Sequence, residues 1–307
     1  MSLILGDTWF IFLGIIGSIC FGLTAVILRL GVKNQDIFYG INLRVLGSIP
    51  FLIILSILID GLKFYEPYLA LNNLVLIFTI AMFLLTGDLM LMRVLKYRPI
   101  GVIAPLIAVS PLFTILLLLF THEADITTRI VLLTFLIVFG IGLVTYQPST
   151  TGKGFDLLSL SAGLFIALLW GFMLYFEIHL LQKDGVDSFS FAATKFIILG
   201  LIGFFLFSIQ KNRDSYLTQT KETREDHKGH VKTRNYLLLA GFIGWFLGSV
   251  LVYTALNDGP IPIITPIIGL NPLFAVVISL TLGHEQMGKT KLFGVLLCVI
   301  SSILLVS

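Results

Sequence analysis

Charge is scarce in this sequence. Asp, Glu, Lys and Arg together make up 12 % of its 307 residues, about half the share of an ordinary soluble domain. A soluble fold of this length could not cover its surface with so few polar side chains, and the mean hydropathy of +1.01 says the same. Cysteine is nearly missing. Cys20 and Cys298 both lie inside apolar runs, which excludes a disulfide framework and a thiolate metal site. Nothing basic precedes the first apolar run, and that run is long enough to span, so no cleavable signal peptide is expected. Phosphate loops, nucleophile elbows and metal-ligand clusters are missing as well, which argues against an enzyme and against any cofactor. An intramembrane aspartyl protease would need two aspartates within spans, and only Asp88 qualifies. With no nucleotide-binding domain, ATP-driven pumping is excluded.

What is present is apolar: 57 % of the chain. A membrane-crossing helix needs about 20 such residues. Ten runs of that kind lie near residues 8–30, 37–59, 70–93, 99–120, 127–146, 157–181, 188–209, 236–256, 260–282 and 289–306. The expected fold is therefore an all-α polytopic membrane protein of ten spans. The net charge of +3 is local, because 210–235 holds seven basic and four acidic residues and the remainder is balanced. That segment reads as a mobile loop after the seventh span. Its basic excess is an orientation signal rather than a nucleic-acid site.

The chain repeats itself. Ile103-Ala104-Pro105-Leu106-Ile107 and Ser110-Pro111-Leu112-Phe113 return as Ile264-Thr265-Pro266-Ile267-Ile268 and Asn271-Pro272-Leu273-Phe274, 161 residues on. The same offset pairs Gly87 with Gly248, and Phe21-Gly22 matches Trp170-Gly171. Phe38 to Arg44 matches Phe189 to Lys195, and His122-Glu123 matches His284-Glu285. An ordered series of matches divides the chain into halves, 1–146 and 147–307. Each half holds five spans, an odd number, so the second half starts from the opposite side and the repeats are inverted. Inverted repeats are characteristic of carriers that work by alternating access.

Two five-helix halves, an early Trp170-Gly171, a proline-rich fourth span in each half and a Glu just after it resemble the drug/metabolite transporter superfamily, EamA type. The resemblance covers roughly 8–306. It implies transport of a small organic metabolite such as an amino acid or a drug-like compound, with export favoured, across the cell membrane. The sequence departs from the family pattern in having Phe21 in place of a Trp, Asp88 inside the third span, and a long loop after the seventh. Orientation is a further departure. Loops after odd-numbered spans hold 15 Lys and Arg against three on the other side, which places both termini outside; the family habit places them inside. A channel or facilitator without alternating access is the rival reading, although no filter-like or charged ring appears.

Candidate site residues follow from what is costly in a bilayer. Pro105, Pro111, Pro266 and Pro272 each remove a backbone donor and displace a carbonyl, and kinked helices with freed carbonyls suit the lining of a cavity. Ser110 and Asn271 precede the second proline of each pair and are expected near substrate. Trp170 lies in mid-span rather than at an interface, sharing a helical face with Glu177 and Gly163. It suits an aromatic wall, or packing against small residues of the first span. Arg44, Asp88, Glu177 and Lys195 are charges within spans, each costing about 2.5–3.5 kcal/mol at the bilayer centre. Arg44 and Lys195 occupy matching repeat positions and are long enough to snorkel; otherwise they serve as symmetric counter-charges to substrate. Asp88 is expected to pair with Arg44 or to meet a cationic group or proton, and Glu177 to act as a proton or cation coupling site. Tyr253 would offer a cavity hydroxyl, or simple packing near the interface. His179 points away from Glu177, so the two form no metal site. Small residues recur every fourth position at Gly14, Ser18 and Gly22 and at Ala240, Gly244 and Gly248. They allow close helix contact within the bundle or in a homodimer.

Overall fold

Where water is excluded, a backbone must satisfy its own polar groups. The computed structural model, which describes residues 9–32, 36–97, 106–122, 125–145, 157–182, 186–214, 224–281 and 288–306, is accordingly built of helices, with no strand among those residues. In chain order the helices are α1 (Trp9–Val32), α2 (Ile37–Asp60), α3 (Leu71–Tyr97), α4 (Ser110–Thr121), α5 (Thr128–Thr145), α6 (Leu157–Leu181) and α7 (Ser188–Asp214). Then come α8 (Arg224–Ala240), a π-helical stretch (Gly241–Gly248), α9 (Ser249–Asp258), α10 (Ile261–Ile268), α11 (Asn271–Thr281) and α12 (Lys289–Val306). Eight helices, some built from several of these elements in series, are long and apolar enough to cross a membrane, while Ser110–Thr121 and Thr128–Val144 are apolar but shorter. Those two fall in the expected fourth and fifth spans.

Two expectations change. The charged segment 210–235 was expected to be a loop, yet α7 continues to Asp214 and α8 begins at Arg224. Lys, Arg and Glu are good helix formers, and extending an existing helix needs no new nucleus. The ninth span is not one kinked helix but two, α10 and α11, separated at Gly269-Leu270.

The first helix organises the bundle. Gly17 lies against Val252 and Gly31 against Leu237, so α1 runs antiparallel to the α8–α9 rod. Gly14 lies against Ile264 and Ile267, and Gly22 against Asn271 and Ala275, so α1 runs parallel to α10–α11. In the other half, Gly171 of α6 meets Ser110 and Phe113 of α4 in the same way. Each half thus lays a glycine-bearing helix on a broken helix: Gly22 on the start of α11, Gly171 on the start of α4. The small-residue stripes are therefore consumed inside the bundle, with Gly244 against Thr24 and Gly248 beside Cys20 and Phe21. Large apolar side chains such as Phe120, Leu58, Leu201 and Phe204 face outwards, as expected of a surface solvated by lipid tails.

Helix α2 crosses the rod closely enough that backbone touches backbone. A Cβ at Gly241 would stand 2.0 Å from the Arg44 carbonyl oxygen, and one at Gly47 would stand 2.2 Å from that of Leu238. Neither neighbour is a flexible side chain, so the helices must separate to admit a methyl group. Gly241→Ala is expected to destabilise the protein by about 1–3 kcal/mol, measured by denaturation in mixed micelles. Gly142→Ala, where an added Cβ would meet nothing within 4 Å, should leave stability within about 0.5 kcal/mol of the parent.

Candidate functional site

The site is framed by two helix breaks at corresponding places. After the helical residues Leu106 and Ile107, the chain turns at Ala108-Val109 and restarts at Ser110; after α10 it turns at Gly269-Leu270 and restarts at Asn271. In both, the residue three beyond the restart donates its amide to the carbonyl just before it: Phe113 to Val109 and Phe274 to Leu270. Pro111 and Pro272 were expected to be interior kinks. Each instead lies at the second residue of a new helix, where a missing N–H removes no intrahelical bond. Pro266 does sit inside its helix, and Pro105 lies outside the described residues. Nor is the freed carbonyl left to water: Ser18 Oγ donates to the carbonyls of Ile267 at 2.7 Å and Ile268 at 3.2 Å. The second of these is the carbonyl that Pro272 cannot engage.

Beside the breaks lies a cavity of about 590 Å³, lined from both halves of the chain. Arg44, Asp88, Ser110, Trp170, Glu177, Lys195, Tyr253 and Asn271 all line it. Arg29 and Leu30, both exposed, mark its mouth at the C-terminal end of α1. Glu177, Lys195 and Tyr253, each 3 % exposed or less, lie deeper, towards the end where α6 finishes and α7 starts.

Arg44 and Lys195 do not snorkel. Both are buried, and each is tied to a carboxylate: Arg44 Nη1 to Asp88 Oδ2 at 2.5 Å, and Lys195 Nζ to Glu177 Oε1 at 2.9 Å. The reason is geometric, since a partner on a neighbouring helix is nearer than either interface. Tyr253 is buried at the base of the cavity rather than packed at an interface; its hydroxyl donates to Glu177 Oε1 at 2.9 Å and accepts from Lys195 Nζ. Asp88 and Lys195 are also close enough to interact electrostatically. The four ionic groups therefore form one set, two positive and two negative.

An aromatic pair links the two cations. The Arg44 guanidinium lies 3.9 Å from the centre of the Trp245 ring, Trp245 stacks on Phe196 at 5.1 Å, and Lys195 Nζ lies 4.5 Å from the Phe196 ring centre. Trp245 belongs to the π-helical stretch, and π-helical turns are frequent at functional sites. Neither Trp245 nor Phe196 was among the residues singled out from the sequence. Trp245 nonetheless carries the same signal as Trp170, a tryptophan in the middle of a span. Trp170 itself packs on Gly87 of α3, where a Cβ would stand 2.3 Å from its indole nitrogen. The small residue it packs on belongs to α3, where the glycine leaves a slot for the ring, and the ring also lines the cavity. His179 faces an outer groove with Asn72 and Thr79, away from Glu177.

Opposite the mouth, the halves are joined. Tyr68, between α2 and α3, is 1 % exposed and shares a 3.0 Å hydrogen bond with Ser190 Oγ at the start of α7. Asp187 caps that helix, its Oδ2 accepting from Phe189 N at 2.7 Å and Ser190 N at 3.2 Å. Burial pushes the Tyr68 phenol up, so it remains a donor at any ordinary pH.

Comparison with known proteins bears on the same architecture. The model of the EamA-like transporter family matches residues 8–146 and again 157–307. The chain is also similar to a solved crystal structure of a protein, with a TM-score of 0.68 over 96 % of each chain at 12 % identity; that likeness concerns the fold alone. No curated protein matches the sequence.

The ion pairs predict a non-additive response. Removing one partner of a buried pair strands the other charge and costs about 3–5 kcal/mol, whereas removing both is far cheaper. Glu177→Leu alone should be strongly destabilising in micelle denaturation, and adding Lys195→Met should restore most of the loss. Additive losses would mean that the two side chains do not depend on one another.

Proposed function

We propose that this chain, which belongs to the EamA-like transporter family, is a secondary carrier that moves a small organic metabolite, such as an amino acid or a drug-like compound, by alternating access. Membership supports a multi-pass membrane transporter of the drug/metabolite type. The finer reading is ten spans in two inverted five-helix halves that rock about a central site, in the plasma membrane. The observation that carries it is the cavity, lined from both halves, with its mouth at one end and the Tyr68–Ser190 junction at the other.

The residues take roles consistent with that reading. Trp170 forms an apolar wall, Ser110 and Asn271 present polar groups beside it, and Asp88, Arg44, Lys195 and Tyr253 supply charge and a hydroxyl. Glu177, already bonded to Lys195 and Tyr253, is the coupling group for a proton or cation. The excess of Lys and Arg lies on the side of the mouth, which supports a mouth facing the cytosol. A cavity loaded from there suits export.

Counterflow in liposomes tests the function directly. A labelled metabolite from a mixed panel should accumulate transiently when its unlabelled counterpart is preloaded; leak of many solutes without counterflow would indicate a channel. Asp88→Asn keeps an amide oxygen to accept from Arg44 but strands its charge, so it should lose stability while the fraction that folds transports with an altered rate or pH dependence, read per unit of folded protein. Unchanged transport at every pH would remove Asp88 from the mechanism.

A further inference from the structure

The Phe21-Gly22 and Trp170-Gly171 pairs do two things each. Gly22 and Gly171 set their helices against the restarted helices α11 and α4. The aromatic residue before each glycine lines the cavity instead. The two rings enter it from separate walls, because α1 packs on the rod and on α10 and α11, while α6 packs on α3 and α4. Each ring also meets a glycine, Trp170 at Gly87 and Phe21 at Gly248, and these two glycines match under the repeat. The residue after each of them, Asp88 or Ser249, lines the cavity as well.

The two seats differ in how closely they hold their rings. A Cβ on Gly248 would meet Cys20 Cβ at 3.3 Å and the Phe21 ring at 3.4 Å, which is tight but no collision. On Gly87 the three nearest atoms all belong to the Trp170 indole, with Cδ1 at 2.8 Å and Nε1 closer still. A methyl group there would overlap the ring, and the ring would have to shift. No polar contact holds it in place, since Trp170 Nε1 has no hydrogen-bond partner among the described residues. Trp170 packs with Ile107 and Ile166 in a cluster that also takes in Leu91 and Val94. Close-packed neighbours give way little, so the open space into which the indole can move is the cavity.

We infer that Gly87 is a positioning residue that sets the width of the cavity: it seats the Trp170 indole back from the substrate's space, and this one contact fixes how thick an apolar body the carrier admits. The inference rests on the carrier reading and deepens it, from a small metabolite in general to one selected by the thickness of its apolar body. Asp88 adjoins the seat, so the same glycine also sets the gap between the indole and the carboxylate.

Thiol labelling of the purified full-length protein in detergent reads that width without requiring transport. Ser249→Cys, with Cys20 and Cys298 replaced by serine, leaves a single thiol in the cavity. The probes are two neutral reagents of different thickness, methyl and benzyl methanethiosulfonate, and the readout is the ratio of their rates on folded protein. Gly87→Ala should lower the benzyl rate at least roughly tenfold relative to the methyl rate, because one methylene in an apolar pocket discriminates by about 10–200-fold. Adding Trp170→Phe, a smaller ring, should return the ratio towards that of the parent. Trp170→Phe alone should raise the ratio above the parent's, and it decides the matter if Gly87→Ala does not fold. A Gly87→Ala ratio equal to the parent's, a loss that Trp170→Phe does not relieve, a Trp170→Phe ratio no higher than the parent's, or a parent thiol that neither reagent reaches would each overturn the inference. Counterflow decides the carrier reading separately. A width effect without counterflow would remove transport and keep the seat, and counterflow without a width effect would do the reverse.

Discussion

An ion inside a bilayer costs about 2.5–3.5 kcal/mol even on the most lenient scale, and this bundle holds four ionic side chains at 4 % exposure or less. That cost is tolerable only because the charges sum to zero and each has more than one neighbour. Arg44 has Asp88 and the Trp245 ring; Lys195 has Glu177, Tyr253 and the Phe196 ring. Much of the local fold follows from this requirement. Gly241 lets α2 approach the rod so that Trp245 reaches Arg44. Tyr253 stands where the Glu177 carboxylate needs a second donor.

The halves repeat their cations but not their carboxylates. Arg44 and Lys195 occupy matching places, yet Asp88 corresponds to Ser249 and Glu177 to Leu28 under the same offsets. Arg44 lies near the start of α2, at the mouth end, and Lys195 near the start of α7, at the base, so the two ion pairs lie at different depths. The Trp245–Phe196 stack connects them, providing each cation with a surface it keeps whatever its carboxylate is bonded to. A site of this kind can exchange a proton or a ligand at a carboxylate without leaving a bare cation in hydrocarbon.

Much of this was legible in the sequence because membranes leave few solutions. Apolar runs without charges had to be helices, and the family model matches the chain twice, over 8–146 and 157–307. The residues singled out as costly (mid-span charges, a mid-span Trp, polar residues beside paired prolines) come together around one cavity. What was illegible depended on neighbours. Whether Arg44 snorkels or pairs is decided by the position of α3. Whether Pro272 kinks a helix or begins one depends on distant partners such as Ser18, 254 residues earlier in the chain, whose hydroxyl engages the Ile267 and Ile268 carbonyls at the break. Composition read the segment 210–235 as a loop because charge suggests solvent, but charge is equally compatible with a helix leaving the bilayer.

The central claim is that one cavity serves both sides in turn. Ser249 lines it, 2 % exposed, and Ser249→Cys in a background with Cys20 and Cys298 replaced by serine reports its accessibility. Reconstituted vesicles would be treated with a membrane-impermeant thiol reagent from the outside only or the inside only. The account predicts labelling from either side without any leak of the reagent across the membrane. Labelling from one side alone, under every substrate and pH condition, would contradict it.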